Sequence, residues 1–427
     1  MRPMRWATAL SSLAIAGQGV AYGLAVVLAR SLDVQAFETY AVASALFILM
    51  VPLVLQGLDK YALQLLPALA ERADWGGVRA YLRWGVWRTL VAALLVGGVV
   101  AAWAWWFSGL PMASRLALVV CCLSLPAGAL VHLGHEALSA LGRAWAATVV
   151  FRVAVPGMAL GVFGLWQLGA AAPSGAMAVG SWGLAWVLAL GLVVWQLRQV
   201  VPGAADTADC AAEGPVWLAR ARPFWTYRMA QVALAQMGIL GLHVLGTSSV
   251  AVGAFAAALG TANLALVIAT ATHRVFARQL SVLLERRDFA AIQALRRQRL
   301  QWLVLPIGVY LAAVLVLAPE ILGLFRPEFA QEGATALRLL AVSVAFMMLF
   351  ALAPTYLKFR RRHGWLFQAV AVAAVVQGAL LWLLVPRLGA TGAALAYGVS
   401  MGGLYGGLAL LAYRELRGLR SLSEPPP

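Results

Sequence analysis

Apolar residues run through this chain in long uninterrupted stretches, and polar residues gather in the short gaps between them. Twelve stretches reach the roughly 20 residues needed to cross a bilayer: 7–28, 38–58, 84–107, 114–134, 144–166, 174–197, 224–245, 252–273, 302–323, 337–357, 364–385 and 390–413. All are predicted as helices, because a segment in lipid must satisfy its backbone hydrogen bonds internally. No series of alternating strands points to a barrel. Two of the gaps, 59–83 and 274–301, mix Leu and Ile with Arg at helical spacing, as in Leu280, Leu283, Ile292 and Leu295 among Arg278, Arg286, Arg296 and Arg299. Both read as amphipathic helices at the interface. A third, 198–222, carries Pro202, Gly203, Asp206, Gly214 and Pro215 and reads as a flexible linker at mid-chain.

Composition agrees with the pattern. Of 427 residues 63% are hydrophobic and 11% charged, against about 25% charged in soluble domains. A soluble enzyme is excluded. The apolar stretch after Met1 is too long for a signal-peptide core and reads as an uncleaved first span. Cys121, Cys122 and Cys210 form neither a disulfide framework nor a metal spacing. His132, His135 and Glu136 sit at one span end without further ligands, so no metal site is expected. No Walker lysine stands in a glycine-rich loop, and no catalytic constellation appears, so neither a nucleotide cofactor nor an enzymatic reaction is expected.

The net charge of +16 follows from topology. Apart from Arg152 within a span, every Lys and Arg except Arg30, Arg115, Arg326, Arg338 and Arg387 falls on the side of the even-numbered loops and the termini. The positive-inside rule makes that side cytoplasmic. The basic loops suit anionic membrane lipids, and the charge is no sign of nucleic-acid binding.

The spans divide into two sets of six. Residues 1–197 form an N-terminal bundle, 198–223 a cytoplasmic linker, 224–413 a C-terminal bundle and 414–427 a cytoplasmic tail. The long amphipathic connection follows the second span of each half. A shift of about 215 residues lays Phe37-Glu38-Thr39-Tyr40-Ala41 over Val252-Gly253-Ala254-Phe255-Ala256. Two repeats of one orientation predict a transporter with a site between its halves.

Arg152 lies about 13 Å inside its span at ~1.5 Å per residue, and no carboxylate lies comparably deep in another. Two readings stand. A deep cation without a deep anion suits an anionic ligand. Alternatively the guanidinium snorkels, or braces a neighbour through the carbonyl freed by Pro156. Polar stripes mark the first span of each half. Thr8, Ser11, Ser12, Gln18 and Tyr22 share an arc of roughly 120°, and Arg228, Gln231, Gln236 and His243 one of roughly 140°, at ~100° per residue. They fit a hydrated cavity, or else helix–helix hydrogen bonding. Arg228, Arg88 and Arg274 lie close enough to span ends to be interfacial anchors. Lys60 sits beside Asp59 as a local ion pair or as the cytoplasmic lip of the cavity.

Three stretches carry a resemblance: Leu28-Ala29-Arg30-Ser31-Leu32-Asp33-Val34-Gln35-Ala36-Phe37 with Gln56-Gly57-Leu58-Asp59-Lys60, Leu324-Phe325-Arg326-Pro327-Glu328-Phe329-Ala330, and Leu384-Val385-Pro386-Arg387-Leu388-Gly389-Ala390-Thr391-Gly392-Ala393. In order and spacing the chain resembles the multidrug/oligosaccharidyl-lipid/polysaccharide flippase superfamily, and within it the bacterial polysaccharide-unit flippases. The resemblance implies an all-α polytopic protein of two six-helix bundles in a V, working by alternating access in the inner membrane. It implies export of a polyprenyl-diphosphate-linked oligosaccharide for lipopolysaccharide or exopolysaccharide synthesis, alongside a polysaccharide polymerase and chain-length machinery. Arg152, Arg228, Lys60 and Arg88 are then expected to meet the diphosphate. Ser11, Ser12, Gln18, Tyr22, Gln231, Gln236 and His243 are expected to form the polar cavity face. Where many relatives carry an acidic residue near the end of span 7, this chain has Leu242-His243-Val244. The alternatives are an ion-coupled drug/cation antiporter of the same fold, a peptidoglycan-precursor flippase, and a glycan-polymerising membrane enzyme.

Overall fold

The computed structural model describes residues 2–169, 173–202, 210–266, 276, 279–286, 288–360 and 362–423, and side chains within these except at 2–11, 210–212, 289, 363 and 418–423. The described residues are helical and divide into two compact units, 1–236 and 237–427.

In the first unit the helices are α1 (Arg2–Ser31), α2 (Val34–Leu55), α3 (Leu58–Glu71), α4 (Trp75–Trp106), α5 (Met112–Ala140), α6 (Ala144–Thr148), α7 (Val155–Gly169), α8 (Gly175–Val200) and most of α9 (Cys210–Val244). Side-chain caps start them. Asp33 accepts from the Ala36 N–H at 2.6 Å, Asp74 from Gly77 at 2.8 Å and Ser174 from Met177 at 3.3 Å, each satisfying an otherwise orphaned donor. The turn from α2 to α3 passes through Gln56 and Gly57 at φ 51° and 83°. A Cβ on Gly57 would also lie 2.4 Å from the Ala221 carbonyl oxygen, so only glycine fits there. Helix α5 is the core of the unit and packs on α2, α3, α4 and α8. Small residues permit the approach: a Cβ on Gly128 would overlap Phe47, and one on Gly134 would overlap Val193, each at 2.2 Å.

The second unit holds the end of α9, then α10 (Ser249–Leu264), α11 (Phe289–Gly323), α12 (Pro327–Phe350), α13 (Leu352–Phe359) and α14 (His363–Ser423). Helix α12 is its core, packed on α10, α11 and α14. Helix α14 is interrupted at Gly389, with φ 51° and ψ −129°, a conformation that glycine alone adopts without strain. The break separates two membrane-length segments.

Among the described residues, nine helices are long and apolar enough to cross a membrane, with α14 counted as one. Once α14 is divided at Gly389 and α9 and α10 are added, each predicted span falls on a helix; part of 252–273 lies outside the described residues.

Two readings from sequence differ from the structure. The stretch 198–222, expected as a flexible linker, is helical from Cys210 onward. Aromatic packing holds it, with Trp217 set edge-on to Tyr81 and Trp84 at centroid distances of 5.2 and 5.8 Å. The described part of 274–301 is likewise not a separate surface helix at 289–301, where it forms the first turns of α11. There Arg299 is buried, 1% exposed, and donates to the carbonyls of Met348 and Leu349 at 3.1 and 3.4 Å. These carbonyls are left over where α12 ends before Ala351, and a guanidinium at a helix C-terminus satisfies them. Arg274 and the amphipathic residues around it lie outside the described residues.

Candidate functional site: a dibasic cavity in the first unit

Between α6 and α7 the chain makes a π-helical turn, Val149–Ala154, and Arg152 stands in it. Such a turn inserts an extra residue and re-aims the side chains after it, and it recurs at functional sites. Helix α1 lies against this turn at Gly17, where a Cβ would meet the Arg152 backbone at 2.5 Å. The Arg152 guanidinium sits 5.7 Å from the centroid of the Phe151 ring.

The turn aims Arg152 into a cavity of about 270 Å³ inside the first unit. Gln18, Tyr40, His132 and Arg228 supply the rest of its polar lining, and no carboxylate lines it among the described residues. Its wall is aromatic: Phe47, Phe151, Trp182 and Trp186. His132 stacks on Trp186 at 5.6 Å and meets Phe151 edge-on at 4.7 Å. Trp186 is 5% exposed, and its indole N–H has no hydrogen-bond partner. A buried donor without an acceptor costs about 1–3 kcal/mol, so an acceptor brought into the cavity would relieve it.

One turn further along α5, four residues beyond His132, lies Glu136. It forms an ion pair with Lys60 at the start of α3, with the His135 imidazole at 3.8 Å and Asp59 at 3.9 Å from Lys60. Burial holds the Asp59 carboxyl above the usual carboxylate range, and Glu136 adds to this; the charges of Lys60 and Arg228 oppose it. Arg228 thus belongs both to the cavity and to the field of this charged cluster.

The residues expected from sequence are therefore distributed unevenly. Arg152, Arg228 and Gln18 meet in one cavity. Lys60 is engaged by Glu136 at its cytoplasmic side. Arg88 is partly buried on α4, which contributes no lining residue. Ser12 is exposed on α1 and Tyr22 partly buried, both outside the lining. Ser11 lies outside the residues whose side chains are described. Gln231 donates to the Tyr227 hydroxyl at 3.0 Å on its own helix. Gln236 and His243 are partly buried further along α9, away from the cavity lining. His132, Glu136 and the aromatic wall were missed as site residues. The pairing of Glu136 with Lys60 joins positions 76 apart in the chain, a relation carried by no local pattern.

The chemistry of this lining suits an anion. Two guanidinium groups in a small, largely aromatic enclosure suit phosphate oxygens. A cationic ligand would find no counter-charge on the cavity lining.

The fold is shared with solved structures of MATE transporters and of a lipid II flippase. An inward-facing structure of a multidrug resistance MATE family transporter of the MOP superfamily matches with a TM-score of 0.74 at 14% identity, over 96% of each chain. An outward-facing MATE structure matches with a TM-score of 0.68 at 15% identity, over 98% of this chain and 96% of that one. The lipid II flippase MurJ, in an inward closed conformation, matches with a TM-score of 0.66 at 11% identity, over 98% and 94%. No family model and no curated protein sequence matches the chain.

Proposed function

We propose that this protein is a flippase that carries a polyprenyl-diphosphate-linked oligosaccharide from the cytoplasmic to the outer leaflet of a bacterial inner membrane, for surface polysaccharide synthesis. The observation that carries the reading is the presence of Arg152 and Arg228 in one cavity whose described lining residues include no carboxylate. The diphosphate binds these two guanidiniums, and the lipid tail stays in the bilayer. The Trp186 indole and Gln18 offer hydrogen bonds to the phosphate or the first sugar. The fold shared with the lipid II flippase MurJ supports a lipid-linked substrate. Polysaccharide polymerase and chain-length proteins are the expected partners downstream. An inside-negative potential favours outward movement of the diphosphate: two charges across 100 mV correspond to about 4.6 kcal/mol, less the charge the protein carries back.

The test replaces the native gene in a polysaccharide-producing strain with Arg152→Ala and Arg152→Lys variants at equal protein level. Loss of surface polysaccharide with Ala and partial recovery with Lys is expected; normal polysaccharide in both overturns the reading. The MATE fold favours a second reading, a drug/cation antiporter, and the cavity chemistry opposes it. Proton- or sodium-driven dye efflux by reconstituted protein would establish it instead.

A further inference from the structure

The second unit carries a long groove unrelated to the dibasic cavity. It runs between the two segments of α14, from Trp365 and Leu411 at one end to Val376 and Val399 at the other, with a volume of about 490 Å³. Its lining is apolar apart from Gln368 and Ser400. Ala369, Ala373, Gly403 and Gly407 make the trough narrow-walled and deep, and a Cβ added at Gly403 or Gly407 would meet nothing within 4 Å.

Three features identify an occupant. The groove extends over 12 residues of one segment and 13 of the other, a rise of about 17 Å at ~1.5 Å per residue, close to the ~15 Å hydrocarbon depth of one leaflet. It opens on the side of the helix opposite α9: a Cβ on Gly378 would lie 3.4 Å from the Met237 side chain and one on Gly241 3.2 Å from that of Leu381, whereas Val372 stands about 180° around the helix from Leu381 and Val376 about 200° from Gly378. An apolar trough of this length along two membrane-length segments suits a lipid chain. Its cytoplasmic mouth is basic. The Arg362 guanidinium lies 4.9 Å from the Trp365 ring centroid, and Arg360 and Arg362 share the single carboxylate of Glu415 at 3.3 Å each. Arg414 and Arg417 are exposed beside it.

We propose that this groove binds an anionic phospholipid of the cytoplasmic leaflet, with one acyl chain in the trough and the phosphate at Arg362. Cation excess between helices at headgroup level selects anionic over zwitterionic lipid, and the one-leaflet length matches a phospholipid acyl chain. The site is independent of the proposed transport substrate.

Native mass spectrometry of the full chain, titrated with phosphatidylglycerol, phosphatidylcholine or a polyprenyl phosphate, tests it. The wild type retains phosphatidylglycerol about fivefold or more over phosphatidylcholine. Gly407→Leu, which fills open space, lowers phosphatidylglycerol retention about tenfold at unchanged Tm. Arg362→Gln removes the preference between the two phospholipids and keeps the acyl chain bound. Equal retention of both lipids by the wild type, undiminished retention by Gly407→Leu, or tighter binding of the polyprenyl phosphate would each overturn the proposal.

Discussion

A Cβ on Gly17 would lie 2.5 Å from the carbonyl oxygen of Arg152, so α1 and the π turn meet backbone to backbone. The position of the Arg152 side chain is thereby tied to the position of α1. Gly17→Ala is expected to push the two apart at a cost of about 1–3 kcal/mol and to weaken binding of a diphosphate lipid. Gly23→Ala, whose Cβ meets nothing within 4 Å, leaves both unchanged. Thermal unfolding in detergent and lipid binding by the two variants check this.

The Lys60–Glu136 pair predicts a coupled response. Either Lys60→Met or Glu136→Gln alone strands a partly buried charge. Each costs less than the ~3–5 kcal/mol of a fully buried pair, since the Lys60 side chain is 30% exposed. The double variant is expected to lose less than the sum of the singles. A double-mutant cycle on denaturation midpoints measures the difference; strict additivity would contradict a direct pairing.

Asp59 makes stability depend on pH. Its carboxyl is raised in the folded protein, chiefly by burial, so between the ordinary carboxylate value and the raised one the folded state holds the extra proton. Stability then falls as pH rises through that window. Asp59→Asn removes the cost and is expected to raise Tm at pH 7.5, with the gain vanishing near pH 4, where the unfolded carboxyl is also protonated. Thermal scans at the two pH values decide the sign.

Arg299 ties α11 to the end of α12 through the carbonyls of Met348 and Leu349. Arg299→Ala leaves both acceptors buried and opens space, so a loss of about 2 kcal/mol or more is expected. Arg299→Met fills the space and is expected to lose less, because it also removes a buried charge. Tm values of the two variants rank them.

The membrane-crossing architecture was legible because it depends on local composition. A run such as Met112–Ala140 must be a helix in lipid whatever surrounds it, and the placement of Lys and Arg orients it. The depth of Arg152 was legible for the same reason, since depth is a count of residues along one helix. Its direction was not. Residue spacing relates side chains on one helix to one another, but the face turned inward is set by neighbours, here Gly17 and a π turn that shifts the register just at Arg152.

The same distinction separates the other cations. Sequence alone placed Arg228 and Arg88 near span ends and Lys60 beside Asp59, with no means of separating their roles. Tertiary packing brings Arg228 into the cavity with Arg152, gives Lys60 to Glu136, and leaves Arg88 on a helix that lines no part of it. It also converts the mid-chain stretch from Cys210 into helix, because Trp217 finds Tyr81 and Trp84. The sequence by itself thus determined which segments are membrane-length helices and how far along its span each charge lies, because hydropathy acts on each segment against a uniform solvent. Only the tertiary structure decided which charges meet, because that depends on contacts between segments far apart in the chain.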